Sequence, residues 1–160
     1  MDWTNWLSVG AISATFLLAV AAFLSILQTR NVQRRAKRKD DLLAISKWAE
    51  EGFSILEETR GFRLDGQDDA RYLLGKFARL HTLNSSMIRA SSDFRRSFRA
   101  VVGEATDSLA EYVRELERLR RVDDWGQVVN SVGATIGPLR IECQESFTKL
   151  LQETGNLLAE

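Results

Sequence analysis

The chain has 160 residues, 44% of them hydrophobic and 28% charged, with 22 basic side chains against 22 acidic ones. That length fits one domain with an appendage. A single proline and ten glycines leave too few chain breakers for an all-β sandwich. One cysteine, Cys143, excludes an intrachain disulfide, and one histidine, His81, excludes a zinc site built within one chain.

No charged residue occurs from Leu7 to Leu27, and the polar ones are small: Ser8, Ser13, Thr15 and Ser25. At 1.5 Å per residue this run predicts a helix of about 31 Å, close to the ~30 Å hydrocarbon core of a bilayer. Trp3 and Trp6 precede it, where an interfacial aromatic belt belongs, and Asp2 is the only charge before it. Arg30, Arg34, Arg35, Lys37, Arg38 and Lys39 follow with no acid among them. By the positive-inside rule the sequence predicts a single-pass cell-membrane protein, N-terminus outside and the rest cytoplasmic. The six cations serve as topology signal and as contacts to anionic lipid headgroups. A cleaved signal peptide fits less well, because the leader is acidic and Phe23, Leu24, Ile26 and Leu27 continue past the small residues Ala19–Ala22. Nucleic acid is not expected as a partner, since this basic run would lie against a headgroup layer of the same sign as a phosphate backbone.

Within the span, Ala11, Ala14, Leu18, Ala21, Ser25 and Gln28 recur at steps of three and four, and Gly10 pairs with Ala14 as small-xxx-small. Small residues let helix backbones approach, so this seam predicts helix association and a homo-oligomer. The link Gln28–Asp41 has neither Gly nor Pro, so the anchor helix is free to run unbroken into the first cytoplasmic helix.

Residues 40–160 hold 16 basic and 21 acidic side chains, a net charge of −5, and show helical period without strand-type alternation. A helix is predicted over Asp40–Arg60, with Leu42, Ile45, Trp48, Ala49, Phe53 and Leu56 inward. Gly61–Gly66 supplies the stop and turn. A second covers Asp68–Ala90 through Ala70, Leu73, Phe77, Leu80, Met87 and Ile88. Ser91-Ser92-Asp93 offers caps for a third, whose stripe runs Phe94, Phe98, Val101, Ala105, Leu109, Val113, Leu116 and Leu119. Asp123 and Asp124 offer caps for a fourth, carrying Trp125, Val129, Val132, Ile136, Leu139, Cys143, Phe147, Leu150 and Leu157. Pro138, after Gly133 and Gly137, predicts a break, with a helix restart preferred over a hinge. The expected fold is therefore all-α: an N-terminal transmembrane helix (1–28), a basic helical segment (29–41) and a cytoplasmic antiparallel bundle of about four helices (42–160). An extended coiled-coil oligomer is the alternative.

An up-and-down order places the basic cluster Arg89, Arg95, Arg96 and Arg99 at the membrane-proximal end. It sends Asp65, Asp68, Asp69, Asp123 and Asp124 to the far end, the arrangement an anionic leaflet favours. Catalytic and cofactor chemistry has little to stand on. His81 has Ala78 and Asn84 three residues away, so the Glu-x-x-His pair of a di-iron bundle is missing. Acidic doublets such as Glu50-Glu51 and Glu57-Glu58 diverge by about 100° on a helix. Glu111 and Glu115 share a face with Arg114 and Arg118 as a salt-bridged surface. Cys143 lies on an apolar stripe as a small core residue. No enzyme, no metal and no cofactor are expected. Asn84 is placed at the edge of the second stripe, and His81 as a satisfied, partly buried side chain. The functional expectation is a membrane-anchored, homo-oligomeric interaction or scaffold module that takes a protein partner through the bundle. A small homo-oligomeric channel, with Ser8, Thr15 and Ser25 toward a pore, is the alternative.

Overall fold

The computed structural model describes residues 3–123 and 125–159; side chains are described except at residues 3–17 and 126–131. The described residues form four α-helices and one 3₁₀ turn and contain no strand. These are α1 (Trp3–Glu58), α2 (Gln67–Ala90), α3 (Arg96–Arg120) and α4 (Trp125–Ala159), with the 3₁₀ turn at Ser91–Asp93. The chain divides into two compact units, Met1–Lys39 and Asp40–Glu160.

In the first unit α1 is continuous helix, as the lack of Gly or Pro between Gln28 and Asp41 allows. Every side chain described from Leu18 to Lys39 is exposed. The predicted membrane span does not hold. Among the described residues no helix is long and apolar enough to cross a membrane. Part of the predicted span, Leu7–Leu17, together with Trp3 and Trp6, has side chains outside the described residues. The single-pass assignment is overturned, and with it fall the N-out orientation and the inner-face location; Arg30, Arg34, Arg35, Lys37, Arg38 and Lys39 stand exposed on α1.

In the second unit the four helices pack antiparallel, each against the next, and α4 closes back on α1. Between α1 and α2, the Trp48 indole Nε1 donates to the Leu80 carbonyl at 3.2 Å, and Lys76 Nζ meets Glu58 at 2.8 Å. Between α2 and α3, Gln67 Nε2 donates to the Val122 carbonyl (2.6 Å) and Asn84 Nδ2 to the Thr106 carbonyl (3.0 Å). The Phe77 and Tyr112 rings meet edge to face there, with centroids 5.3 Å apart. Lys149 reaches Glu104 from α4 to α3 at 2.6 Å. Gln144 donates to Glu57 between α4 and α1, and the Trp48 and Phe147 rings lie 4.8 Å apart. Rising numbers on each helix pair with falling numbers on its neighbour, which is the antiparallel order. The extended coiled coil is thereby replaced by helices that cover one another within one chain.

The core follows the predicted stripes, with Phe53, Trp125, Leu139 and Leu157 half-buried at its edge and the Val129 side chain outside the described residues. All eight α3 stripe residues are buried, and Val102, Thr106, Ser108 and Tyr112 join them because α3 is covered on two sides. Ile88 departs from the pattern and is 50% exposed. It lies about 100° around α2 from Met87, which is buried, and so falls outside the covered face. Ser91 does not cap α3 as expected. Its hydroxyl donates back to the Ile88 carbonyl at 2.7 Å and so closes the C-terminus of α2. Helix α3 starts after Arg95, which makes no side-chain cap bond. Asp124, the other predicted cap residue, lies outside the described residues. Pro138 neither breaks α4 nor restarts it, since the helix passes through. A proline has no N–H for the carbonyl four residues back, which here is Ala134. Ala134 is exposed, so its position leaves that carbonyl on the solvent side of the helix rather than in the core.

Candidate functional site

Three regions bear on function: the leading part of α1, the α2–α3 corner, and the opposite end of the body, where the α1–α2 link meets α4.

Large apolar side chains stand in solvent on the leading part of α1. Leu18 is 71% exposed, Phe23 62%, Leu24 53% and Ile26 53%. At 100° per residue these positions, with Val20, Leu27 and the alanines between them, surround the helix rather than forming one stripe. Of the predicted association seam, Leu18, Ala21 and Ser25 are described and exposed. Gly10, Ala11 and Ala14 have side chains outside the described residues. Thr29 Oγ1 donates to the Ser25 carbonyl at 2.9 Å, so the first polar side chain after Gln28 is turned back onto its own helix.

Arg89, Arg95, Arg96 and Arg99 are exposed around the α2–α3 corner. Of the acids expected at the opposite end, Asp65 is met by Arg63 at 3.6 Å and Asp68 by Arg71 at 2.8 Å, Asp123 is exposed, and Asp124 lies outside the described residues. Asp69 accepts the Asp65 backbone N–H at 2.9 Å. Arg140 Nη1 donates to the carbonyls of Thr59 (3.1 Å) and Arg60 (2.7 Å). A guanidinium thus serves the open carbonyls at the C-terminal end of α1, where a cation also suits the helix dipole. Beside this contact lies a cavity of about 510 Å³, lined by Leu73, Tyr112, Val132 and Ile136 with Arg60, Arg63, Asp65 and Arg140. Nothing in the predicted stripes announced it. Gly133 and Gly137 were the available signal: one turn apart on α4, they also line the cavity, where a Cβ on either would touch nothing within 4 Å.

The remaining chemical candidates resolve into structural roles. Asn84 is not an edge residue but bonds across to α3, with its Oδ1 buried and unpartnered. His81 is exposed rather than partly buried. Glu115 receives Arg118 in a bidentate pair, the nearest approach 2.5 Å. Glu51, Glu57 and Glu58 engage Arg79, Arg60 and Lys76. No group of three or more His, Cys, Asp or Glu is placed to hold a metal among the described residues.

Cys143 is fully buried, and burial pushes its thiol up to about 12 against an ordinary value of 9.0. Such a thiol is not a nucleophile near neutral pH. Burial likewise raises Tyr112 from 10.0 to about 12. Both groups hold their protons in the folded state after the unfolded chain has begun to release them. Stability therefore falls as pH rises above about 9. From pH 8.5 to 10.5 the expected loss is roughly 2–3 kcal/mol, measured by urea unfolding. In Cys143→Ala only about a third of that pH-dependent loss should remain, from Tyr112. An undiminished loss would place the titration elsewhere.

No family model matches the chain, and neither a curated protein nor a solved structure does.

Proposed function

We propose that this chain is a non-enzymatic interaction module that assembles with further copies of itself through the leading part of α1. The observation that carries the reading is the exposure of Leu18, Phe23, Leu24 and Ile26 on a helix that is apolar all round. Such a helix is stable in water only when covered on several sides. A second copy offers the same apolar surface at the same length, which makes it a fitting cover. On the four-helix body the exposed large apolar residues, such as Leu43, Tyr72 and Ile141, are spread along different helices, as on ordinary surfaces. The body then carries whatever the assembly displays.

The absence of catalysis in this reading rests on chemistry. The one thiol is buried and protonated, the one histidine stands in solvent, and most of the described carboxylate doublets have a member engaged in an ion pair. The pore alternative needs a membrane-crossing helix, and it is not carried further.

A double substitution tests the assembly. Phe23→Glu with Leu24→Glu puts two like charges per copy into the contact, and burying an unpaired charge costs several kcal/mol. The full chain should run as a defined oligomer by light scattering, and the double variant should run as a monomer with unchanged helical circular dichroism. Equal masses would sink the proposal.

A further inference from the structure

We infer that neighbouring copies of α1 lie antiparallel, the uncharged residues 3–29 of each laid against those of the next and the basic residues 30–39 carried past their end. Antiparallel order rests on the self-association proposed above and adds the direction in which the copies meet.

Burial comes first. From residue 3 to residue 29 α1 carries no charge. The large apolar side chains described there, Leu18, Val20, Phe23, Leu24, Ile26 and Leu27, are exposed around the helix. Burying apolar surface is a non-directional effect, so a parallel and an antiparallel neighbour cover these residues equally well. Direction is left to the charges.

Arg30, Arg34, Arg35, Lys37, Arg38 and Lys39 stand exposed with no acid among them. Asp40 and Asp41 follow, which leaves a surplus of four positive charges at this place on every copy. A parallel pair in register sets two such surpluses side by side, at the interaxial spacing of packed helices, about 8–10 Å. That is about one screening length at physiological salt, so the copies repel. Sliding a parallel neighbour until the basic runs separate takes about ten residues, the length of the run. The slide lays cations against Phe23, Leu24 and Ile26 in place of apolar surface.

An antiparallel neighbour removes the conflict. The uncharged stretch is centred on position 16, so the two basic runs project at opposite ends of the pair. Their midpoints then stand about 55 Å apart along the axis, at 1.5 Å per residue. Salt screens charges fully over that distance. Antiparallel macrodipoles also attract where parallel ones repel.

A spin label at Val32→Cys, just beyond the uncharged stretch, reads the direction by pulsed dipolar spectroscopy on the full chain. Val32 is 66% exposed, and the native Cys143 is buried and takes no label. Antiparallel neighbours should give a separation of about 50 Å. Separations confined to under about 25 Å would mean parallel copies, and would overturn the direction while self-association stood. Labels that do not interact, with a monomer mass by light scattering, would overturn self-association and the direction with it. Arg34→Gln with Arg35→Gln is the second test, removing half of the surplus without touching the uncharged stretch. The dissociation constant of the assembly should stay within about twofold, because the separated runs do not feel each other. A tightening beyond that would place the runs side by side and overturn the antiparallel order.

Discussion

Trp48→Ala should destabilise the protein by about 3–5 kcal/mol, close to the limit of what a small bundle survives. Trp48 is 2% exposed and does three jobs at the centre of the body. It fills the space between α1, α2 and α4, and its ring packs on Phe147 at 4.8 Å. Its Nε1 also donates to the Leu80 carbonyl at 3.2 Å, a bond that reaches from one helix into another. Alanine removes the volume, the aromatic pair and the donor together. Trp48→Phe separates these effects. It retains most of the volume and loses the bond, so about 1–3 kcal/mol should be lost. Chemical denaturation of both variants measures the difference. Equal losses would mean that the indole N–H carries all of the effect.

Gly52→Ala should also destabilise, against the usual sign. An exposed glycine inside a helix costs about 0.5–1 kcal/mol relative to alanine, so replacing it ordinarily helps. At Gly52 a Cβ would stand 2.6 Å from Phe147 Cζ and 2.8 Å from Cε1. Phe147 is fully buried against Trp48, so its ring has little room to retreat. Overpacking of this kind costs about 1–3 kcal/mol and outweighs the gain in propensity. Gly75 is the internal control. It lies exposed within α2, nothing comes within 4 Å of a Cβ there, and Gly75→Ala should stabilise by about 0.5–1 kcal/mol. Thermal unfolding midpoints moving in opposite directions confirm the pair. A stabilising Gly52→Ala would show that α1 and α4 are not held this closely.

The same contact shows what a sequence can and cannot reveal. The stripes of α2 and α3 announced their own burial, because a period of three to four is a property of one helix. The closeness of α1 to α4 at Gly52 is a property of two helices, and a lone glycine in a helical pattern reads only as a weak point. Ser91 illustrates the same boundary. Ser-Ser-Asp before an apolar stripe is a sound N-cap signal, but Ser91 equally suits the preceding carbonyls of α2. Which helix it serves depends on the corner between them. Pro138 was overcounted because its cost presumes a buried carbonyl, and Ala134 is exposed.

The functional regions divide along similar lines. The cations after Leu27 were legible as exposed charge, while their assignment to a bilayer rested on the uncharged run from Leu7 to Leu27. Among the described residues no helix is long and apolar enough to cross a membrane. At the far end of the body Arg71 meets Asp68 at the i,i+3 spacing of one helix, a pairing legible in the sequence, while Arg63 meets Asp65 only through the geometry of the loop. The cavity was beyond a one-dimensional reading for the same reason. Leu73, Tyr112 and Val132 come from three helices, and only their packing leaves a space between them.

Self-association through the leading part of α1 is the central claim, and the mass in solution tests it most directly. Among the described residues the buried core lies between Leu42 and Leu150, so residues 40–160 contain that core in full. Light scattering of the full chain beside residues 40–160, at equal concentration, gives the comparison. The account predicts a defined oligomer for the full chain and a folded monomer for the shorter one. Two monomers, or two oligomers of the same order, would contradict it.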